Sequence, residues 1–322
     1  IVEFDEITPG SVEVRTLAIG GFTLGNVEGF TGVSAVRAWG RAGADRIDAS
    51  TLDTIAATLE GGRHHDTLLG GAGDDTIRGD QDGSMSGDGN EGADSITGGA
   101  GADLLYGDGL DGIEGGGDTI HGGDGNDTIL GDAADGAEGR ADSLFGDDGD
   151  DQIFAHTGND WLDGGADHDL LIGGADGSEG NDTLLGGTGD DILSGATGDD
   201  SLVGGAGRDL LLAGEGADLL DGLDGDDLLV ANHTSFDLDV AALSALRAEW
   251  TSVATYQDRV DHISGTLAGG LNGTTTLVPG VSAFDDDALD TLFGGAALDW
   301  FLYDFFEDLA EDDEPGETLT DL

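Results

Sequence analysis

Residues 122–130 read Gly-Gly-Asp-Gly-Asn-Asp-Thr-Ile-Leu, and residues 70–78 repeat the pattern as Gly-Gly-Ala-Gly-Asp-Asp-Thr-Ile-Arg. Sixteen such units follow one another between Gly61 and Val230, and each ends with Asp, any residue, Leu or Ile, and any residue. The glycines predict tight turns, and the last three residues predict a short strand with one inward apolar side chain. We therefore expect an all-β fold, a parallel β-roll or β-solenoid of nonapeptide repeats.

The turn of each unit carries oxygen ligands that suit a hard cation. Glycines at positions one, two and four are expected to adopt left-handed or strained backbone angles, which aim their carbonyl oxygens inward. The closing Asp adds a carboxylate, and ligation by oxygen alone suits Ca²⁺. The predicted calcium ligands are Asp66, Asp75, Asp94, Asp103, Asp118, Asp127, Asp142, Asp151, Asp160, Asp169, Asp182, Asp191, Asp200, Asp209, Asp218 and Asp227, with Gly70, Gly73, Gly98, Gly101, Gly122, Gly125, Gly186 and Gly189.

Successive units are expected to lie on opposite sides of the roll, so that two units form one coil and alternate units stack. The buried Leu or Ile of each unit contributes roughly 1.5–3 kcal/mol. Without metal, stacked carboxylates would repel one another across strands about 4.8 Å apart. A disordered Gly/Asp-rich chain is the alternative, but disorder does not require an apolar residue two positions after every closing Asp.

Four units, numbered 3, 5, 7 and 11 from Gly61, are longer than nine residues and span 79–97, 107–121, 131–145 and 173–185. Because all four are odd-numbered, their insertions should project from the same edge of the roll. Each contains Asp-Gly-x-Glu-Gly, at 88–92, 111–115, 135–139 and 176–180. The motif is either a second row of carboxylates, for cations or a partner, or a duplicated solvated loop without a site.

The even-numbered units all have nine residues, so eight stacked turns should leave seven regular sites between them on that edge. We expect metal ions in a line there, and an interrupted line on the odd edge. Asp167 replaces the position-four glycine of unit 10, which is expected to distort that site.

Composition restricts the partners of this chain. It has 69 acidic residues against 10 basic ones, a net charge of −59, and no Lys. This charge opposes nucleic-acid binding, and contact with an anionic membrane would need bridging calcium. The absence of Cys excludes disulfides and thiolate sites, and no run of about 18 apolar residues predicts a transmembrane helix. The chain begins with Ile1 and its one Met is Met85, which indicates a processed product or a fragment.

The sequence outside the array divides into further regions. Residues 1–60 show strand alternation and one degenerate unit at 40–48, and we interpret them as a metal-poor cap or as the tail of another domain. The array covers 61–230. Two helical faces in 231–283 predict a helical insertion that packs on the end of the roll, with a capping box at Thr255 and Asp258. Terminal repeats with an aromatic cap are expected at 284–306, and a frayed acidic tail at 307–322.

Catalytic motifs are absent from the sequence. It contains no His-Glu-x-x-His zinc motif and no Gly-x-Ser-x-Gly nucleophile elbow. The pair His64-His65 is either a zinc site or part of a degenerate first turn of the array. Trp161, Trp250 and Trp300 could stack on sugar rings, although Trp250 fits a helix core and Trp300 an end cap. We expect no enzymatic activity from this chain.

The repeated pattern Gly-Gly-x-Gly-x-Asp-x-Leu-x over 61–230 resembles the repeats-in-toxin (RTX, hemolysin-type) calcium-binding proteins of bacteria. Residues 249–260 and 289–301 also resemble the C-terminal end of large secreted RTX surface proteins. The resemblance implies export through a type I secretion channel and folding outside the cell, where calcium is plentiful. It gives the sixteen aspartates above a calcium-binding role, with departures at His64, Arg140, Asp167 and the four long units.

Two functions follow from this reading. The first is an extracellular, non-enzymatic structural or adhesive protein on a calcium-loaded roll, able to associate with copies of itself or with surface and matrix components. The second is the C-terminal secretion and folding module of a larger enzyme, such as a lipase, a protease or a glycan-active protein. The sequence upstream of Ile1 would distinguish them.

Overall fold

The computed structural model describes most of the repeat array and its flanks. The described residues are 2–8, 11–16, 22–23, 35–42, 45–49, 56–63, 66–70, 73–80, 93–108, 116–132, 140–174, 180–231, 233–268, 270–273, 275–278, 283–284, 289–303, 309–311 and 318–321. The Asp-Gly-x-Glu motifs of the four long units and the pair His64-His65 lie outside them. The chain divides into an N-terminal half, Ile1–Trp161, and a C-terminal half, Leu162–Leu322.

The N-terminal half consists of two parallel sheets. The even sheet contains the strands of the even-numbered units, and the odd sheet contains the strands of the odd-numbered units. The even sheet has the order β1-β2-β4-β6-β8-β10-β12-β14, with β1 antiparallel at its edge, and the odd sheet has the order β3-β5-β7-β9-β11-β13. The strands are β1 Val2–Thr8, β2 Ser11–Thr16, β3 Phe22–Thr23, β4 Ala35–Ala42, β5 Arg46–Asp48, β6 Ala56–Arg63, β7 Thr67–Leu69, β8 Thr76–Asp80, β9 Ser95–Ala100, β10 Leu104–Tyr106, β11 Thr119–Asp124, β12 Thr128–Leu130, β13 Ser143–Asp148, β14 Gln152–His156 and β15 Trp161–Ala166. Strand β15 begins at Trp161, the last residue of the N-terminal half, and its other residues belong to the C-terminal half.

Alternate units stack in register, as the period predicts. Ile129 of unit 6 pairs with Leu105 of unit 4, and Ile120 of unit 5 pairs with Leu144 of unit 7. These closing Leu and Ile side chains are fully buried between the two sheets. The parallel β-roll predicted from the repeats is confirmed, with one apolar residue per unit forming the core.

Residues before the array continue the roll. Strand β6 pairs with β4 and β8, and β5 pairs with β7, so that Ile47 of the degenerate unit aligns with Leu68 of unit 1. Val36, Ala38, Ile47 and Leu59 are buried like the core residues of the repeats. Glycine turns are therefore not required for a segment to add strands to both sheets.

The C-terminal half also consists of two parallel sheets, one of even and one of odd strands. The even sheet has the order β16-β18-β20-β22-β26-β28, and the odd sheet has the order β15-β17-β19-β21-β25-β27. The elements are β16 Leu170–Gly174, β17 Thr183–Thr188, β18 Ile192–Thr197, β19 Ser201–Ala206, β20 Leu210–Glu215, β21 Leu219–Asp224, β22 Leu228–Val230, β23 His233–Thr234, α1 Val240–Trp250, α2 Tyr256–Ile263, β24 Ala283–Phe284, β25 Thr291–Phe293, β26 Trp300–Tyr303, β27 Leu309–Glu311 and β28 Thr318–Asp321.

The expectation of a frayed acidic tail is wrong. Strand β27 pairs with β25, and β28 pairs with β26 with Leu319 beside Phe301, so this segment forms strands of both sheets. Ala310 pairs with the inward Leu292, and Leu319 pairs with the inward Phe301, so this acidic segment has an apolar residue at each of the two inward register positions. Trp300, Phe301 and Leu302 of β26 are buried within this half.

The helices pack differently from the expectation that they cover the end of the roll. Their buried residues include Leu243, Leu246, Trp250, Val260 and Ile263, and α1 contacts β18 of the even sheet. Each even strand from β16 to β22 is buried on both of its faces. The helical insertion therefore covers the outer face of the even sheet, along the roll rather than at its end.

A pattern in the sequence indicates that this outer face of the even sheet is buried. Even units 10, 14 and 16 have apolar residues on both sides of the inward Leu, as in Leu210-Leu211-Leu212, and unit 12 has one at Ile192, whereas unit 2 has Thr76-Ile77-Arg78. Thr255 is the N-cap of α2: its Oγ1 accepts from the backbone N–H of Asp258, the first of the two hydrogen bonds of the predicted capping box, and its hydroxyl donates to Asp258 Oδ2. Helix α2 ends at Ile263, so Leu267 lies beyond it and is exposed.

Candidate metal centre

The closing aspartates form two ladders of buried carboxylates, one on each edge of the roll. In each rung, one carboxylate oxygen accepts a hydrogen bond from the backbone N–H of the closing Asp in the preceding coil. The N–H of Asp103 donates to Asp127 Oδ1 at 2.7 Å, and the N–H of Asp127 donates to Asp151 Oδ1 at 2.7 Å. All sixteen predicted aspartates are almost completely buried. The repeat thus aligns one carboxylate per unit at a constant place.

On the even edge, the described rungs join Asp75, Asp103, Asp127 and Asp151 in the N-terminal half and Asp169, Asp191, Asp209, Asp227 and Asp299 in the C-terminal half. On the odd edge, they join Asp45, Asp66, Asp94, Asp118, Asp142 and Asp160 in one half and Asp182, Asp200, Asp218 and Asp290 in the other.

The four long units do not interrupt the odd ladder within either half. Asp94, Asp118 and Asp142 close units 3, 5 and 7, and each accepts from the preceding rung at 2.6–2.7 Å. The backbone N–H of Asp182 in unit 11 donates to Asp200 Oδ1 at 2.7 Å. The described carboxylate rungs are thus the same on both edges, because the insertions lie before the closing Asp, and this regularity favours an uninterrupted line of ions over the interrupted line expected from the sequence.

The second carboxylate oxygen explains the glycine at position one. A Cβ placed on Gly98 would lie 2.3 Å from Asp103 Oδ2 and 2.6 Å from the carbonyl oxygen of Gly122 in the next coil. Gly122, Gly107 and Gly186 show the same crowding. These glycines have no positive φ, so the prediction of left-handed angles at position one is wrong. Glycine is needed there because a carboxylate oxygen and a carbonyl oxygen approach its Cα.

Positions two and four carry the left-handed backbone. In the array, the position-two glycines with positive φ lie between +103° and +123°, and the position-four glycines with positive φ lie between +132° and +150°. In four units, position two is instead occupied at φ of 70–78° by a residue other than glycine: Asp147, His156, Ala196 or Leu223. Asp167 does so at position four with φ of 76°, so unit 10 keeps a left-handed turn despite losing its glycine.

Many ladder carboxylates keep one oxygen without a hydrogen-bond donor. The Oδ2 atoms in question are buried and belong to Asp103, Asp118, Asp127, Asp142, Asp191, Asp200, Asp209 and Asp227. A buried acceptor without a donor costs about 1–3 kcal/mol, and more when it is charged. Such a repeated cost indicates that a cation or a proton belongs at each of these oxygens.

The pKa values of these aspartates point the same way. Burial, and secondarily repulsion by neighbouring carboxylates, raises the pKa of Asp103 and Asp151 to about 7. The same causes raise the pKa of Asp200 and Asp209 to about 8 and that of Asp227 to about 9. Without a cation, the roll can therefore keep its carboxylates inside at neutral pH only by holding protons on many of them.

The donor set fits calcium. Beside several ladder aspartates, such as Asp103 and Asp127, the position-one carbonyl of the next coil lies near the same glycine Cα as Oδ2, and hard Ca²⁺ takes carboxylate and carbonyl oxygens together. Among the residues that the structure describes, no three His, Cys, Asp or Glu side chains form a metal cluster. The oxygens that lie close together at these turns are one carboxylate oxygen and one backbone carbonyl oxygen.

The structure adds three residues to the predicted ligands. Asp45, Asp290 and Asp299 are buried rungs of the same ladders. Each precedes an Ile, Leu or Phe by two residues, and this Asp-x-apolar spacing identifies them even where the turn glycines are missing. On the even edge, Ala57 occupies the rung before Asp75 and donates its N–H to Asp75 Oδ1, so the carboxylates of that ladder start at Asp75.

Other predicted features lie apart from the ladders. Trp250 and Trp300 are buried and in contact, with ring centroids 6.2 Å apart, so neither can stack on a sugar. Trp161 is 43% exposed. None of the helices in the described residues is long and apolar enough to cross a membrane.

Comparison with protein families agrees with this geometry. The model of the RTX calcium-binding nonapeptide repeat, in four copies, matches residues 56–83, 88–113, 114–135, 145–176, 176–211 and 203–232, which together make up just over half of the chain. No curated protein matches the chain significantly. The repeat is a structural, calcium-binding module of the secreted type. From its stacked glycine turns, its buried aspartate ladders and this match, we conclude that the chain belongs to the RTX calcium-binding nonapeptide repeat family.

Proposed function

We propose that the chain is an extracellular, non-enzymatic structural protein whose roll folds when calcium binds after secretion. The observation that carries the proposal is the series of buried Oδ2 atoms that have no hydrogen-bond donor. In a cell with little free calcium, these carboxylates oppose folding, since their burial and their mutual repulsion are uncompensated. In a calcium-rich medium, binding of the ion adds its free energy to folding, as it does for other small metal-dependent folds.

The ligands that we assign are the closing aspartates on both edges and the carbonyl oxygens of the adjacent glycine turns. Calcium supplies positive charge between neighbouring coils. The chain supplies the spacing, because each coil repeats the same rung in register with the next. We place the protein at the cell surface or in an extracellular matrix, where a long acidic roll with fixed spacing can serve as a scaffold.

The composition also favours assembly that depends on calcium. A chain with a net charge of −59 repels copies of itself unless cations bridge them. Exposed apolar residues available for such a contact include Val253, Leu267 and Leu271, all in or near the helical insertion. We propose self-association through this segment, and type I secretion as the route of export.

Circular dichroism tests the folding proposal. In chelator, we expect the β signal of the full chain to fall well below its value in millimolar Ca²⁺, and to return when calcium is restored. Mg²⁺ at the same concentration should restore less of the signal, because it demands a tighter octahedral set of ligands. A spectrum that chelation leaves unchanged would rule out calcium-coupled folding.

A further inference from the structure

The two halves differ in what covers the outer face of the even sheet. In the C-terminal half, the outward residues of β16, β18, β20 and β22 are buried, among them Leu170, Ile192, Leu210 and Leu228. In the N-terminal half, the outward residues of β10, β12 and β14 are partly exposed. Burial of these apolar side chains stabilises the fold through the hydrophobic effect. The C-terminal half therefore has a second apolar layer that requires no metal.

Arg247 of α1 joins two neighbouring even coils at their turns. Its Nη1 donates to the carbonyl oxygen of Asp169 in unit 10 and to that of Asp190 in unit 12, at 3.2 Å each. A guanidinium stays charged at any pH that the protein meets, and it presents several donors in a rigid plane. This side chain thus places a permanent cation between two coils.

Further contacts extend this connection to the later coils. Arg259 is almost completely buried against the Trp250 ring, and its Nη2 donates to Asp226 Oδ2 at 2.6 Å. Trp250 Nε1 donates to the carbonyl oxygen of Asp226 at 2.7 Å, and Arg208 of unit 14 donates from Nη1 to the carbonyl oxygen of Ser252, just after α1, at 3.2 Å. The helical insertion consequently contacts the even turns of units 10, 12, 14 and 16.

These arginines leave the ladder Oδ2 atoms without a donor. Arg247 binds the carbonyl oxygens of Asp169 and Asp190, and Arg259 binds the position-five Asp226, whereas the ladder Oδ2 atoms of Asp191, Asp209 and Asp227 have no donor. The arginines therefore hold the coils together without using these carboxylate oxygens. They can act whether or not calcium is bound.

We propose that the helical insertion keeps the even coils of the C-terminal half folded without calcium, through Arg208, Arg247, Arg259 and the apolar layer. This inference rests on the proposed function, since it sets these coils apart from an array that calcium otherwise folds. The even coils of the C-terminal half then retain their structure at calcium concentrations at which those of the N-terminal half lose it. The covered coils still bury ladder carboxylates without donors, and the apolar layer and the arginines offset this cost, so that these coils need less calcium to fold than the uncovered ones.

Hydrogen exchange by mass spectrometry on the full chain tests this directly. In chelator, peptides from β18, β20 and β22 should exchange at least about tenfold more slowly than peptides from β10, β12 and β14. In millimolar Ca²⁺, both sets should be protected. Equal and rapid exchange of both sets in chelator would overturn the inference alone. Equal and slow exchange in chelator would instead overturn calcium-coupled folding.

The variant Arg247→Gln isolates the arginine bridge. In chelator, exchange in β16 and β18 should become about tenfold faster than in the unmodified chain, with little change in millimolar Ca²⁺. Arg46→Gln is the matched control, since Arg46 is half exposed and pairs only locally with Asp48 in the N-terminal half. If Arg247→Gln prevents folding even in calcium, Arg247→Lys, which keeps the charge, replaces it and should lose less protection. Exchange unchanged by either substitution would contradict a role for Arg247.

Discussion

Asp227 and Asp299 are 72 residues apart in the sequence, yet the backbone N–H of Asp227 donates to Asp299 Oδ1 at 2.7 Å. Asp218 and Asp290 make the equivalent bond on the opposite edge at 2.8 Å. Both ladders therefore continue across the helical insertion as if it were absent. The segment after Val230 is a lateral addition to a roll whose coils remain in register.

Substitutions at Asp127 distinguish its role as a hydrogen-bond acceptor from its role as a calcium ligand. Asp127→Ala removes the acceptor for the N–H of Asp103, which costs about 1–3 kcal/mol, and it also removes a calcium ligand. Asp127→Asn keeps a carbonyl acceptor and removes only the charge. We expect a lower calcium affinity in both variants, and weaker coils at saturating calcium in Asp127→Ala.

Hydrogen exchange in β10, β12 and β14 measures this effect. Exchange should rise in these strands and stay unchanged in β20 and β22, because contacts in a solenoid are between nearest neighbours. Asp124→Asn, at an exposed position in β11, is the control and should leave exchange as it is. Unfolding of the whole chain by Asp127→Ala would count against local stacking.

Glycine is expected to be more strictly required at position four than at position two. Gly125 has φ of +134°, and a Cβ there would lie 1.7 Å from the carbonyl oxygen of Gly101. Gly123 has φ of +112°, and a Cβ there would lie 1.9 Å from the carbonyl oxygen of Gly99. Position two nevertheless holds a non-glycine residue at φ of 70–78° in four described units of the array, whereas position four does so in one of them, at Asp167. Gly123→Ala should therefore cost about 1–2 kcal/mol, and Gly125→Ala should cost more. Urea unfolding of both variants at saturating calcium measures the two losses of stability. Equal unfolding midpoints would contradict the stricter requirement for glycine at position four.

Acid should favour folding of the calcium-free chain. Burial raises the pKa of Asp103 to about 7 and that of Asp209 to about 8, against about 3.9 for Asp in an unfolded chain. A raised folded-state pKa gives stability that is fully present below the unfolded value and is lost as pH rises through the folded one. In chelator, the β signal should therefore increase between pH 8 and pH 5. A signal that falls or stays flat over this range would contradict protonation of the ladders.

Assembly is expected to require both calcium and the apolar residues of the helical insertion. Val253 is fully exposed between α1 and α2, and Leu271 follows α2 and is also exposed. Light scattering of the full chain in millimolar Ca²⁺ should show species larger than a monomer, and fewer of them after Val253→Ser and Leu271→Ser together. A monomer under all calcium concentrations would remove the assembly proposal without affecting the ladders.

The repeat period predicted the roll, its register and the sixteen rungs, because one apolar residue and one Asp per unit leave few other arrangements. It did not predict the strands at 309–311 and 318–321, since short acidic segments can pair when a well-ordered sheet edge is available. Asp45 and Asp299 lacked the full glycine pattern, although their spacing to Ile47 and Phe301 matched.

The position of the helices required tertiary information. Leu246 and Trp250 marked an apolar helical face, but the face of the roll that receives it is encoded elsewhere, in the outward residues of β16 to β22. The reason for glycine at position one could not be predicted from the sequence either. It depends on Asp103 Oδ2 and on a carbonyl of the next coil, and no local rule of backbone conformation reports that crowding.

The most direct test of the central claim is a crystal structure of the chain grown in calcium, with anomalous scattering to locate the ions. We predict a line of calcium peaks along each edge, each beside a ladder Oδ2 such as that of Asp103 or Asp127 and between turns of neighbouring coils. The odd edge should carry its line through the long units as well. A calcium-saturated crystal whose peaks avoid the ladder aspartates would contradict the account.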